Sequence, residues 1–128
     1  MSNNNGPFKK YIIDAVTSVK NEIDKDPLQK KELTQLALDA GVGRNLLQKS
    51  FKGLFGTGIK EYQFQKRMES AKNMLEEGRL TRKQIAYRCG YRSPNNFSIA
   101  FKNYYGISPN EFRSQCEDDN ITLMYACN

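Results

Sequence analysis

The chain has 128 residues, is 38% hydrophobic and 27% charged, and carries a formal net charge of +6; that is the size of one domain, or of two very small ones sharing a core. It contains no histidine, which removes the commonest general base and the commonest metal ligand together. Its three cysteines, Cys89, Cys116 and Cys127, are odd in number and include no C-x-x-C pair, so neither a disulfide framework nor a zinc site is expected, no cofactor is implied, and the chain does not read as an enzyme.

Apolar residues recur at helical spacing with almost no strand signal. Tyr11, Ile12, Ala15, Val16, Val19 and Ile23 make one stripe and predict a helix over roughly 9–24, ended by Asp26-Pro27. Leu33, Leu36 and Ala37 mark a short helix that stops at Gly41. Leu46, Leu47, Phe51, Leu54 and Phe55 mark the next, ending at Gly56, and a long helix is expected over about 59–77 with Gly78 as its stop. Thr81 with Gln84 forms a capping-box signal, flanked by Leu80 and Ile85 as a hydrophobic staple. Ser93-Pro94 is an N-cap followed by proline at the first helical position. Ser108-Pro109-Asn110-Glu111 combines a capping box with an internal proline, stapled by Ile107 and Phe112. The fold class expected is all-α, with seven helices. No apolar run approaches a bilayer span and no N-terminal segment has a signal peptide's apolar region, so the expectation is a cytoplasmic protein without a membrane partner.

Charge is unevenly placed. Residues 27–58 carry five basic and two acidic side chains, and residues 81–115 carry six basic and one acidic. Residues 116–128 carry three acids and no base. Two basic blocks around a nearly neutral middle suggest a footprint for a polyanion.

The two basic blocks also match each other in sequence. LALDAGV (36–42) aligns with IAYRCGY (85–91), FKGLFG (51–56) with FKNYYG (101–106), and Glu61-Tyr62 with Glu111-Phe112. Asn45 and Leu47 align with Asn95 and Phe97 if the second copy has one extra residue. Each copy is a short helix, a turn built on glycine and a second helix, which is a helix-turn-helix pattern. Cys89, aligned with Ala40, is expected to be a buried small residue. The competing reading is a helical protein-interaction module, or one that binds nucleic acid without sequence preference.

The residues Ile85-Ala86, Cys89-Gly90-Tyr91, Ser93, Asn96-Phe97-Ser98, Phe101-Lys102, Tyr105-Gly106-Ile107-Ser108-Pro109 and Phe112-Arg113, with Arg67, Ala71 and Met74-Leu75 upstream, resemble the AraC/XylS family of bacterial transcription regulators. The resemblance covers about residues 9–115. It implies two helix-turn-helix subdomains joined by a long linker helix, with two recognition helices inserted into double-stranded DNA. It further implies an activator that touches RNA polymerase. Gly43 stands where the family usually has a serine cap, and Ile99 where many members have arginine. No sensor domain precedes the motif in this sequence, as is true of some small members. The division expected is a flexible N-terminal segment (1–8), a first subdomain (9–57), a linker helix (58–78), a second subdomain (79–115) and a C-terminal tail (116–128). The opening MSNNNGP would equally suit a linker remnant from a longer regulator. The tail could pack on the domain, extend the last helix or be disordered.

At 100° per residue, Phe97, Ala100, Phe101 and Tyr104 share one arc of the second recognition helix, facing the core. The opposite arc holds Asn95, Asn96, Ile99, Lys102 and Asn103. On the first recognition helix Leu47, Ser50, Phe51 and Leu54 group together, with Arg44, Asn45, Gln48, Lys49 and Lys52 mainly opposite. Asn and Gln pair bidentately with adenine, and Arg or Lys with guanine. Asn45, Gln48 and Lys49 are therefore expected to read bases, as the resemblance also implies. Asn95 and Asn96 are expected to do so from the second helix, with Ile99 against a thymine methyl. Arg44, Lys52, Arg92, Ser93 and Lys102 are expected to contact phosphates. The tandem repeat makes the DNA-binding unit a monomer on this reading, spanning successive major grooves.

Overall fold

The structure is a computed structural model and describes residues 9–126, with side chains through residue 117. Among the described residues there are seven α-helices and no strand: α1 (Lys10–Lys25), α2 (Leu33–Ala40), α3 (Arg44–Phe55), α4 (Ile59–Glu77), α5 (Arg82–Arg88), α6 (Pro94–Tyr105) and α7 (Pro109–Ala126). The segment 1–8 and Cys127 lie outside the described residues. The backbone of residues 116–126 continues α7, so of the three courses open to the tail it takes the helical extension. The chain forms two compact units that divide between Lys66 and Arg67, inside α4.

In the first unit the apolar stripes of α1, α2 and α3 converge with the first turn of α4. Val16, Val19, Ile23, Leu33, Leu36, Ala37, Leu47, Phe51, Ile59 and Tyr62 form one buried cluster. The short connection between α2 and α3 is possible because Gly41 takes a φ of 75°, in the left-handed region where a Cβ is costly. The Gly41 N–H then donates to the Leu38 carbonyl, and the Val42 N–H to the Ala37 carbonyl, both at 3.1 Å. Those bonds close the end of α2 and turn the chain sharply into α3.

The second unit repeats this chemistry. Gly90 has a φ of 88°, and the N–H groups of Gly90 and Tyr91 donate to the carbonyls of Tyr87 and Ala86 at 3.0 Å. Met68, Ala71, Leu75, Ile85, Ala86, Cys89, Phe97 and Phe101 are among its buried apolar residues. Its helix starts are capped as the sequence predicts. Thr81 and Gln84 satisfy each other's backbone N–H groups, Ser93 Oγ accepts from the Asn96 N–H, and Ser108 and Glu111 exchange hydrogen bonds. The Ser108 backbone and hydroxyl, aided by Lys102, hold the Glu111 carboxyl below its ordinary value.

The structural repeat is longer than the sequence repeat. Phe51 packs on Phe55 and Tyr62 with ring centres 4.9 and 5.7 Å apart; Phe101 packs on Tyr105 and Phe112 at 4.7 and 6.0 Å. The ammonium of Lys20 lies over the rings of Phe55 and Tyr62, and that of Lys72 over Tyr105 and Phe112. Buried Val16, Val19 and Ile23 surround Lys20 on α1 at the same intervals as buried Met68, Ala71 and Leu75 surround Lys72 on α4. The latter part of α4 is therefore to the second unit what α1 is to the first.

Three aromatic or aliphatic positions differ from the periodicity reading. Tyr11 is 58% exposed and Leu46 37% exposed. Each lies about 100° around its helix from the centre of the buried stripe, too far to reach the core. Tyr104 is 40% exposed although it shares the core arc of α6. It stands in the last turn and packs edge-on against Tyr105 with ring centres 4.8 Å apart.

Candidate nucleic-acid interface

Each unit presents the second helix of its pair with one face buried and the other open. On α3, Leu47, Ser50 and Phe51 are buried, which anchors that helix and leaves Arg44, Asn45, Gln48, Lys49 and Lys52 exposed. On α6, Phe97 and Phe101 are buried, and Asn95, Asn96, Ile99, Lys102 and Asn103 are exposed. The residues expected to read bases are thus brought to one face within each unit. Arg92 is exposed, just before α6. Ser93 is half-buried, and its hydroxyl oxygen already accepts the Asn96 N–H as the helix cap.

Several lysines away from these faces are internally paired. Lys20, Lys31 and Lys66 are tied to carboxylates. Lys31 sits 2.6 Å from Glu22 and 2.8 Å from Asp39, and Asp24 takes both Lys20 and Lys66 at 3.1 and 3.6 Å. Burial alone would raise the Asp24 carboxyl; the Tyr62 hydroxyl that donates to it, with Lys20 and Lys66, holds it below its ordinary value. By contrast Arg44, Lys49 and Lys52 on α3, with Arg92 and Lys102 in the second unit, form no ion pair among the described residues. The positive charge beside the two amide-bearing faces is therefore not tied up in ion pairs and can act on a polyanion.

The structure adds neighbours that the periodicity argument missed. Lys60, in the first turn of α4, lies between two shallow grooves along α3. One, of about 320 Å³, is lined by Arg44, Lys60, Thr34 and Gln63 with Glu32 and Leu33. The other, of about 250 Å³, is lined by Gln48, Lys52, Lys60 and Glu61 with Gly58 and Ile59. The available signal was the tight turn at Gly56, which returns the chain beside α3. In the second unit Arg82 Nη1 donates to Ser98 Oγ at 2.9 Å, joining the start of α5 to the middle of α6; nothing in the sequence pattern pointed to that bond.

Burial pushes the Cys89 thiol up to about 11 against a smaller pull from the Arg67 charge, so it is protonated at neutral pH. No group of acidic or cysteine side chains among the described residues could hold a metal ion. No helix among them is long and apolar enough to cross a membrane.

Comparison with known proteins agrees with this fold. A family described as helix-turn-helix domain matches residues 36–115. The Msm operon regulatory protein of Streptococcus mutans is 30% identical over 119 residues, which is 93% of this chain and 41% of that protein. The C-terminal domain of the two-component response regulator yesN from Fusobacterium nucleatum is 32% identical, with a TM-score of 0.70 over 78% of this chain and 98% of that one. A transcriptional regulator of Chromobacterium violaceum, described as containing an AraC-type DNA-binding domain, is 26% identical with a TM-score of 0.74 and covers 81% and 93% of the two chains. The chain spans less than half the length of the curated relatives it matches.

Proposed function

Since the chain belongs to the AraC-type helix-turn-helix family of transcription regulators, we propose that it binds double-stranded DNA through α3 and α6, each entering a major groove. Asn45, Gln48 and Lys49 read bases from α3; Asn95, Asn96 and Ile99 read them from α6. Arg44, Lys52, Arg92, Ser93 and Lys102 hold the flanking phosphates. The observation that carries this reading is that, in each unit, the helix after the glycine turn exposes amides beside basic side chains that form no ion pair among the described residues. Asn and Gln present the donor and acceptor pair that adenine requires, and Ile99, 58% exposed, offers the apolar contact that a thymine methyl requires.

The linker supports entry into successive grooves. α4 has 19 residues, and at 1.5 Å each such a helix runs about 28 Å, comparable to the roughly 34 Å between major grooves on one face of DNA. The family further suggests activation through a contact with RNA polymerase, which transcription in vitro from a selected site tests by a rise in product.

The deciding experiment is selection of bound sites from random DNA by the wild type, Asn45→Ala and Asn95→Ala. Each substitution is expected to relax a different part of the selected site, by about 1–3 kcal/mol of discrimination per lost bidentate contact. Selected sites identical for all three proteins would refute the assignment of these faces.

A further inference from the structure

Arg82 opens α5, immediately after the Thr81 cap, and its guanidinium crosses to α6 to donate to Ser98 at 2.9 Å. Both residues are half-buried. At 100° per residue, Ser98 lies about 40° around α6 from Lys102 and about 60° from Asn95. The bond therefore fixes the guanidinium against the margin of the exposed, amide-bearing face. The first unit has no counterpart. Its equivalent positions are Leu33, buried in the core, and Gln48, exposed on α3.

The chemistry of the bond leaves the charge available. A guanidinium has five N–H donors in a rigid plane, and a hydroxyl accepts without neutralising it. Arg82 forms no ion pair among the described residues. It thus differs from Lys20 and Lys31, which are held by carboxylates. A DNA backbone flanking the groove that the second helix fills is crossed by the first helix of the pair, and α5 is that first helix.

We propose that Arg82 is a phosphate-contacting residue of the second unit and that Ser98 is its positioning residue, holding the guanidinium ready before DNA arrives. The proposal rests on the DNA-binding reading above. A fork already fixed at one corner gives up less conformational freedom when its remaining donors engage a phosphate. It also explains why the second unit carries a short serine where the first carries a glutamine. In the first unit the side chain at that register is itself long enough to reach a base, whereas in the second the reach comes from the neighbouring helix.

The test is binding of the full 128-residue chain to a selected duplex and to a random-sequence duplex across a salt series. A flat salt response of the wild type would remove the DNA reading itself. With a steep wild-type response, Arg82→Ala is expected to bind both duplexes about tenfold more weakly, with a log–log salt slope shallower by about 0.9. Arg82→Lys should keep the slope and lose part of the affinity, since its charge remains and its fork does not. Ser98→Ala should weaken both duplexes by about threefold with the slope unchanged. Should Arg82→Ala fail to fold, Arg82→Gln carries the same charge test with a side chain that can still donate to Ser98. A slope unchanged on removal of the charge overturns the phosphate role, as does a loss confined to the selected duplex. Ser98→Ala binding like the wild type overturns the positioning role.

Discussion

Ser50 shows how closely a single residue can be read once its twin in the repeat is known. It is fully buried on α3, and its hydroxyl has no hydrogen-bond partner. Alanine stands at the corresponding place on α6, Ala100, on the same core-facing arc. A buried hydroxyl without a partner loses its bonds to water and gains nothing in return, and serine is also the poorer helix former. Ser50→Ala is expected to stabilise the chain by about 1 kcal/mol, seen as a higher denaturant midpoint with an unchanged slope. A lowered midpoint would mean that the hydroxyl contributes to packing there. Ile99 poses the opposite question, an apolar side chain exposed on a polar face; on the proposed reading its partner is a thymine methyl.

Helix starts divide the two units. Ser93 caps α6 with its hydroxyl, while Gly43 begins α3 with no side-chain cap. Gly43 has φ −67° and ψ 151°, a conformation open to any residue, and a Cβ there meets nothing within 4 Å. Gly43→Ser should therefore supply the missing acceptor to the first turn and also restrict the unfolded chain. The expected gain is about 0.5–1 kcal/mol, measured by thermal unfolding as a Tm higher by a few degrees. The same change at Gly41 or Gly90 should destabilise, because their positive φ disfavours a side chain.

At the scale of the whole molecule the two helix pairs follow one another in a single chain. Their proposed readers also differ. α3 offers Asn45, Gln48 and Lys49, while α6 offers Asn95, Asn96 and Ile99. Unlike readers in tandem call for unlike half-sites. One chain is expected to protect a non-palindromic site of about two successive grooves, with a stoichiometry of one chain per duplex by sedimentation. Footprints restricted to palindromes bound by two chains would count decisively against this arrangement.

The sequence by itself determined the helices and the repeat. Thr81, Ser93 and Ser108 announce their helices because a cap acts within four residues of itself. The match of LALDAGV with IAYRCGY reveals the duplication without any contact being known. The exposed faces of α3 and α6 were legible for the same reason, since 3.6-residue periodicity is a local property. Only the tertiary structure decided that Lys20 and Lys72 hold equivalent places, that Lys31 and Lys66 are neutralised, and that Arg82 reaches Ser98. Those relations join residues on different elements of the fold, and no spacing along the chain encodes which element a long side chain will meet. The sign and placement of charge could be counted from the sequence. Which charges remain available to a ligand followed only from how the helices pack.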